Sequence, residues 1–219
     1  MFALVESGSI TQFPNSNKGI TIGDNQYPQS IYTLWTEAER NAIGIYTVEI
    51  DETNKKNQEF YINTGITYSF GSNKVTGVYG TATARQLNDV LYTQSEVDAD
   101  TYQAPHAKEG ERISGATWVA NDVKSTGLKT YYKKVFNQQA ADFLAKTDWY
   151  VIKAADVTSY SVPSNITTYR ANVRTKVNSM ETQIDNCSDV AALETLLTYT
   201  IDSEGVSSRP LGEFPEEVV

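Results

Sequence analysis

The spacing of apolar residues changes along this chain. Up to about residue 80 they come in short alternating or β-branched runs broken by turn residues. Beyond about residue 127 they recur every three or four positions. A period near two marks half-buried strands and a period near 3.6 marks helices. The expected fold is therefore α+β: a small antiparallel β-rich N-terminal module followed by a helical C-terminal module.

In the first module, Phe2 to Val5 and Ser9 to Phe13 flank Glu6-Ser7-Gly8 and predict a hairpin. Gly19 to Gly23 is a small β segment followed by the turn Asp24-Asn25. Thr36-Glu37-Ala38-Glu39 has the spacing of a capping box, and Gly44 closes the short helix it starts. Ile45 to Ile50 is a β-branched and aromatic strand. Phe60-Tyr61-Ile62 and Thr67 to Phe70 read as paired strands, and Gly71-Ser72-Asn73 turns the chain into Val75 to Tyr79. The stretch 45–79 thus reads as a β-meander, and Ala84 to Leu91 as one or two helical turns.

The second module opens with a stripe at Leu128, Tyr132, Val135, Phe136, Ala140 and Phe143, interrupted by Gln139. Thr147-Asp148-Trp149-Tyr150-Val151-Ile152 follows, then a loop to Pro163. The strongest helix comes next, with Ile166, Tyr169, Val173, Val177, Met180 and Ile184 spaced 3, 4, 4, 3 and 4 and Ser164 or Asn165 as N-cap. Ser188-Asp189 caps a third helix carrying Val190, Leu193, Leu196 and Leu197. Helices joined this closely are expected to lie antiparallel. The prolines of Arg209-Pro210-Leu211-Gly212-Glu213-Phe214-Pro215 keep the tail extended. Residues 93–126 interrupt both patterns with acidic residues, Pro105, Gly110 and Gly115. They read as a linker or insertion between modules 1–92 and 127–219, in which Trp118 can anchor a short strand pair.

Composition narrows the chemistry. The 219 residues carry a net charge of −9, and neither half is basic, so neither nucleic acid nor an anionic membrane surface is an expected partner. One cysteine, Cys187, and one histidine, His106, exclude an internal disulfide and any multi-Cys or multi-His metal site. Cys187 reads as a buried structural thiol and His106 as an exposed loop residue. No phosphate loop, dinucleotide fingerprint or GxSxG elbow occurs. Asp98-Ala99-Asp100 begins like a calcium loop, but Thr101-Tyr102-Gln103 lacks the oxygens and glycine to continue it. Glu37/Glu39 and Asp51/Glu52 fit capping and an exposed turn better than a glycosidase pair. No apolar run approaches the ~20 residues of a membrane span. The first residues lack the basic and apolar regions of a signal peptide. No cofactor, no metal and no enzymatic activity are expected.

Lys129, Lys133 and Lys134 form a basic patch, either a solvated helix face or a docking face for an acidic partner. Arg170 and Arg174 share one helix side with Tyr169 and can pair with Asp148 or Asp156. Trp149 can stack beneath Tyr169 and Val173. These contacts would lock the loop to the helix, making the segment structural, with direct partner contact as the other reading.

Several of these segments resemble small tail-region proteins of tailed bacteriophages, particularly those of marine bacteria and cyanobacteria. Met1-Phe2-Ala3-Leu4-Val5-Glu6-Ser7-Gly8 is similar to their opening hairpin. Tyr27-Pro28 through Trp35, with Ala42-Ile43-Gly44-Ile45-Tyr46-Thr47-Val48, is similar to their Trp-containing helix and GIYxV strand. Thr147-Asp148-Trp149-Tyr150-Val151-Ile152, then Pro163 and Tyr169-Arg170-x-x-Val173-Arg174, resembles TDWYVxR…P…YRxxVR, with Lys153 where an Arg is common. A looser form of that pattern occurs near the C-termini of tail-fibre assembly chaperones, which also often close on a Pro-rich aromatic end. The resemblance covers most of 1–50 and 145–219 and departs in 93–126.

The resemblance implies a non-enzymatic tail-associated protein acting in tail-fibre assembly. The alternative is a structural component of the virion, such as a tail, baseplate or fibre-associated adaptor. The implied partners are a tail fibre, neighbouring virion subunits or further copies of the chain. The implied location is the host cytoplasm during assembly, or the virion tail. Asp148, Trp149, Tyr150, Tyr169, Arg170 and Arg174 would form a structural motif or partner contact. Leu211 and Phe214 would dock into a partner's groove or pack back on the helices.

Overall fold

The computed structural model describes residues 1–98 and 120–218. His106, Trp118, the Ala99-Asp100 half of the acidic run and most of the expected linker lie outside the described residues. The chain forms two compact units, Met1–Thr83 and Ala84–Val219. Strands dominate the first and helices the second, so the fold is α+β.

The first unit contains β1 (Phe2–Glu6), β2 (Ser9–Gln12), β3 (Ile20–Ile22), β4 (Asn25–Tyr27), α1 (Ile31–Leu34), α2 (Glu37–Ala42), β5 (Ile45–Asp51), β6 (Tyr61–Ile62), β7 (Ile66–Gly71) and β8 (Lys74–Tyr79). The β1–β2 hairpin pairs Glu6 with Ser9 across Ser7 and Gly8, whose φ angles of 51° and 78° belong to a two-residue primed turn. Ser72 and Asn73 repeat this between β7 and β8, with φ of 51° and 60°. The capping box at α2 is complete: Thr36 Oγ1 accepts from the Glu39 N–H at 3.3 Å, and Glu39 accepts from the Thr36 N–H at 2.7 Å. Gly44 follows at φ 83°, and a Cβ there would sit 2.6 Å from the Val5 carbonyl oxygen. Only glycine permits both that conformation and that approach.

The five-stranded sheet has the order β2-β1-β5-β8-β7. The expected meander over 45–79 is corrected here. β5 pairs in parallel with β8, Val48 opposite Val75, while β6 stays outside this sheet and β7 pairs with β8. The sheet is thus mixed rather than purely antiparallel. β8 inserts between β5 and β7, a non-local pairing that short-range patterning does not encode. Alternation in β1 sends Leu4 to one face with Ile20, Ile31, Tyr32 and Ile45, and Ala3 and Val5 to the other with Val48 and Val75. The two edge strands meet where Phe13, just beyond β2, stacks on Tyr68 of β7 with ring centroids 4.7 Å apart.

The second unit begins near β9 (Thr83–Ala84) and adds β10 (Val90–Leu91), α3 (Gln94–Asp98), β11 (Val123–Ser125), α4 (Leu128–Ala145), α5 (Asp148–Asp156), α6 (Ser164–Asp185), α7 (Val190–Leu197), β12 (Thr200–Ile201) and β13 (Ser207–Ser208). Ala84 to Leu91 is extended or irregular, not helical. Its polar groups serve α4 instead. The Asp89 carboxylate accepts from the Gly127 N–H at 2.7 Å and Thr130 Oγ1 at 3.0 Å, and Leu128 N–H donates to the Gln86 carbonyl. Asp89 therefore caps a helix that begins nearly forty residues later. A Cβ on Gly127 would lie 2.3 Å from the Asn88 carbonyl carbon, so this crossing requires glycine. Tyr92 N–H donates to the Asp122 carbonyl, and α3 starts on a second Thr–Glu cap in which Glu96 accepts from Thr93.

In α6, the apolar positions Ile166, Tyr169, Val173, Val177, Met180 and Ile184 are all buried. The N-cap is Pro163 rather than Ser164 or Asn165, which are already helical. Asp189 caps α7 through the Ala192 N–H at 2.8 Å. Contacts from α4 to α6 run in reverse order, Lys133 to Asp185, Asn137 to Glu181 and Leu144 to Arg170, so these helices are antiparallel. Among the described residues no helix is long and apolar enough to cross a membrane.

Candidate functional site

The site is the corner where α4 ends and α5 begins, held by α6. Thr147 is wholly buried between the two helices, and its hydroxyl donates to the Leu144 carbonyl at 2.9 Å. Arg170 projects from α6 into this corner and is itself 9% exposed. Its guanidinium donates to the Leu144 carbonyl at 2.8 Å and to Thr147 Oγ1 at 2.7 Å. It also pairs with the Asp148 carboxylate at 2.8 Å. One planar donor therefore satisfies a C-terminal carbonyl of α4 and a carboxylate in the first turn of α5.

Of the two carboxylates expected near Arg170, Asp148 is the one it meets. Arg174 lies outside the clasp and donates to the Arg170 carbonyl at 3.4 Å. Tyr169 is buried in the core of the unit. Burial, with the Glu217 carboxylate second, raises its hydroxyl pKa. Trp149 does not stack beneath Tyr169 and Val173, contrary to expectation. It is 50% exposed and packs on Tyr150 with centroids 4.1 Å apart, while the Lys153 ammonium lies 5.4 Å over its ring. The segment is helical, so successive side chains fan around an axis, and Asp148 and Trp149 point in different directions.

Six of the nine residues of α5 are apolar, and none is buried. Trp149, Val151 and Ile152 are exposed together, Ile152 at 61%. Trp149, Ile152 and Lys153 share a face at three- and four-residue spacing.

Of the two readings of Leu211 and Phe214, the structure shows the one in which the tail packs back on its own helices rather than presenting them to a partner. Leu211 is fully buried in its own unit; its N–H donates to the Leu196 carbonyl at 3.1 Å, and its carbonyl accepts from Lys176 at 2.7 Å. Phe214 stacks on Phe143 of α4 at 5.2 Å. In the basic patch, Lys129 and Lys133 are taken up by contacts within the unit, whereas Lys134 is exposed. Lys129 donates to the Asp185 carbonyl at 2.9 Å, and Lys133 pairs with the Asp185 carboxylate at 2.8 Å. Cys187 is buried, and burial raises its thiol pKa.

Two shallow cavities, ≈ 350 and ≈ 440 Å³, run along the outward face of α6 and share Asn172 and Pro215. Their walls combine amides and hydroxyls such as Asn165, Thr168 and Thr175 with apolar surface such as that of Pro215. Among the described residues no three His, Cys, Asp or Glu side chains group as a metal site requires.

Sequence reasoning missed Thr147 and the Leu144 carbonyl. A buried threonine within a polar run carries no periodic signal. No protein-family model, curated protein or solved structure matches the chain.

Proposed function

We propose that this chain is a non-enzymatic bacteriophage tail-associated protein that acts in tail-fibre assembly through protein–protein contact, using the exposed face of α5. The observation carrying this reading is that α5 leaves an aromatic–aliphatic face in water while Arg170 fixes where the helix starts. Exposed tryptophan beside isoleucine suits an interface core, and a helix pre-positioned by a buried clasp loses little conformational freedom on binding. The phage context rests on the resemblance of Thr147 to Ile152 and Tyr169 to Arg174 to phage tail proteins, which are the segments that build this corner. Assembly then takes place in the host cytoplasm.

A second reading is a component retained in the virion as an adaptor. The exposed Phe13, Leu34 and Ile62 of the first unit favour it, because they offer a further contact surface. Co-expression with the fibre protein tests the main reading: the wild-type chain is expected to co-purify with it and Ile152→Asp is expected not to, with an unchanged melting temperature. Equal co-purification by both would refute the assignment of α5. Mass spectrometry of purified particles separates the readings, since an assembly factor is absent and an adaptor is present at fixed copy number.

A further inference from the structure

The C-terminal segment is held in two different ways along its length. Its first part is anchored through Leu211 and through Glu213, which accepts from the Tyr199 hydroxyl at 2.7 Å and makes a two-pronged pair with Arg209 at 2.8 and 3.1 Å. The Arg209 guanidinium also lies over the rings of Phe136 and Tyr199, at 5.2 and 4.9 Å. The second part, Phe214 to Val218, is held by the Phe214–Phe143 ring contact and by the Lys146–Glu217 ion pair, whose side chains are 49% and 38% exposed. Exposed ion pairs contribute little and are screened by salt.

Against this second part lies Tyr169. It is 3% exposed, it shares a cavity wall with Pro215, Glu216 and Val218, and its hydroxyl has no hydrogen-bond partner. A buried hydroxyl without a partner forfeits its hydration. Closing the segment therefore strands a group that opening would return to water. The weak closing contacts and this stranded hydroxyl oppose each other.

We propose that Phe214–Val218 is a releasable latch, closed in the structure over Phe143 and Tyr169, whose opening uncovers an aromatic seat on α4 and α6. The latch's own Phe-Pro-Glu-Glu run is the seat's occupant in the closed form. Residues 209–213 remain fixed when it opens, so release does not unfold the unit. This device is independent of the α5 face.

The test is the rate at which a carboxypeptidase trims the 219-residue chain, followed by mass spectrometry and normalised to a free peptide of residues 209–219. When opening is fast, that rate follows the open population. The wild-type rate is expected to rise with ionic strength, and Phe214→Ala to raise it at every salt concentration. Tyr169→Phe is expected to slow trimming about fivefold, the factor equivalent to one hydrogen bond of about 1 kcal/mol. Lys146→Gln should trim fast at low salt and lose the salt response. Trimming that is unchanged or faster in Tyr169→Phe, or a wild-type rate indifferent to salt, would overturn the latch. If Tyr169→Phe fails to fold, the Lys146→Gln comparison decides alone.

Discussion

Replacing Arg170 with methionine keeps an apolar stem in the corner and removes the guanidinium. Two hydrogen bonds from a charged donor are lost, to the Leu144 carbonyl and Thr147 Oγ1. Such bonds contribute about 1.5–3 kcal/mol each. The Asp148 pair adds about 0–1 kcal/mol, because the Asp148 side chain is 52% exposed. Thr147 and Leu144 keep their mutual bond at 2.9 Å, so neither is fully stranded and the loss falls toward the lower bound, about 3–4 kcal/mol. For a unit of this size, that lowers the melting temperature by about 10 °C. Asp148→Asn removes the exposed pair alone and should cost under about 1 kcal/mol. Arg174→Met removes one long bond at the surface and should shift melting by no more than about 1 °C. Thermal denaturation followed by far-UV circular dichroism compares the three. If Asp148→Asn destabilises as much as Arg170→Met, the ion pair holds the corner and the weight given to the buried bonds is wrong.

Leu211→Ala should destabilise the helical unit by about 2–5 kcal/mol, read by urea denaturation, because Leu211 is fully buried; a neutral result would mean the whole tail is loosely attached. Val177→Asp places a charge at a position 7% exposed and should prevent stable folding of that unit, seen as loss of its cooperative transition. Glu96 should titrate at about 2 rather than near its ordinary 4.5, because Lys124 and then Thr93 bond its ionised form. Its folded-state value is the lower one, so its contribution to stability is complete above the ordinary value and is lost as pH falls through about 2. Lys124→Gln should move the carboxyl titration, followed by NMR, back upward, and an unmoved titration would mean the pair does not form.

Local regularities were legible in the chain, and long-range ones were not. The Thr36–Glu39 cap, the Ser7-Gly8 turn and the buried stripe from Ile166 to Ile184 each follow from residues a few positions apart. The β5–β8 pairing joins segments separated by two other strands, so patterning within 45–79 pointed to a meander instead. Helix α5 left no periodic trace because it buries no face. At the candidate site, Asp148 and Arg170 were legible as complementary charges at the starts of two successive segments. Their interior partners Thr147 and the Leu144 carbonyl were not, since a backbone acceptor has no sequence signature. Leu211 and Phe214 read as anchors correctly, but the groove they fill is intramolecular.

The central claim is that the exposed face of α5 is where this protein meets its partner during tail assembly. A photo-reactive amino acid placed at Ile152 during phage growth tests it directly, with the same group at the exposed Thr158 as control. The account predicts a crosslink from position 152 to a fibre or neighbouring tail protein and none from position 158. Equal capture at both positions, or no phage protein captured at 152, would contradict it.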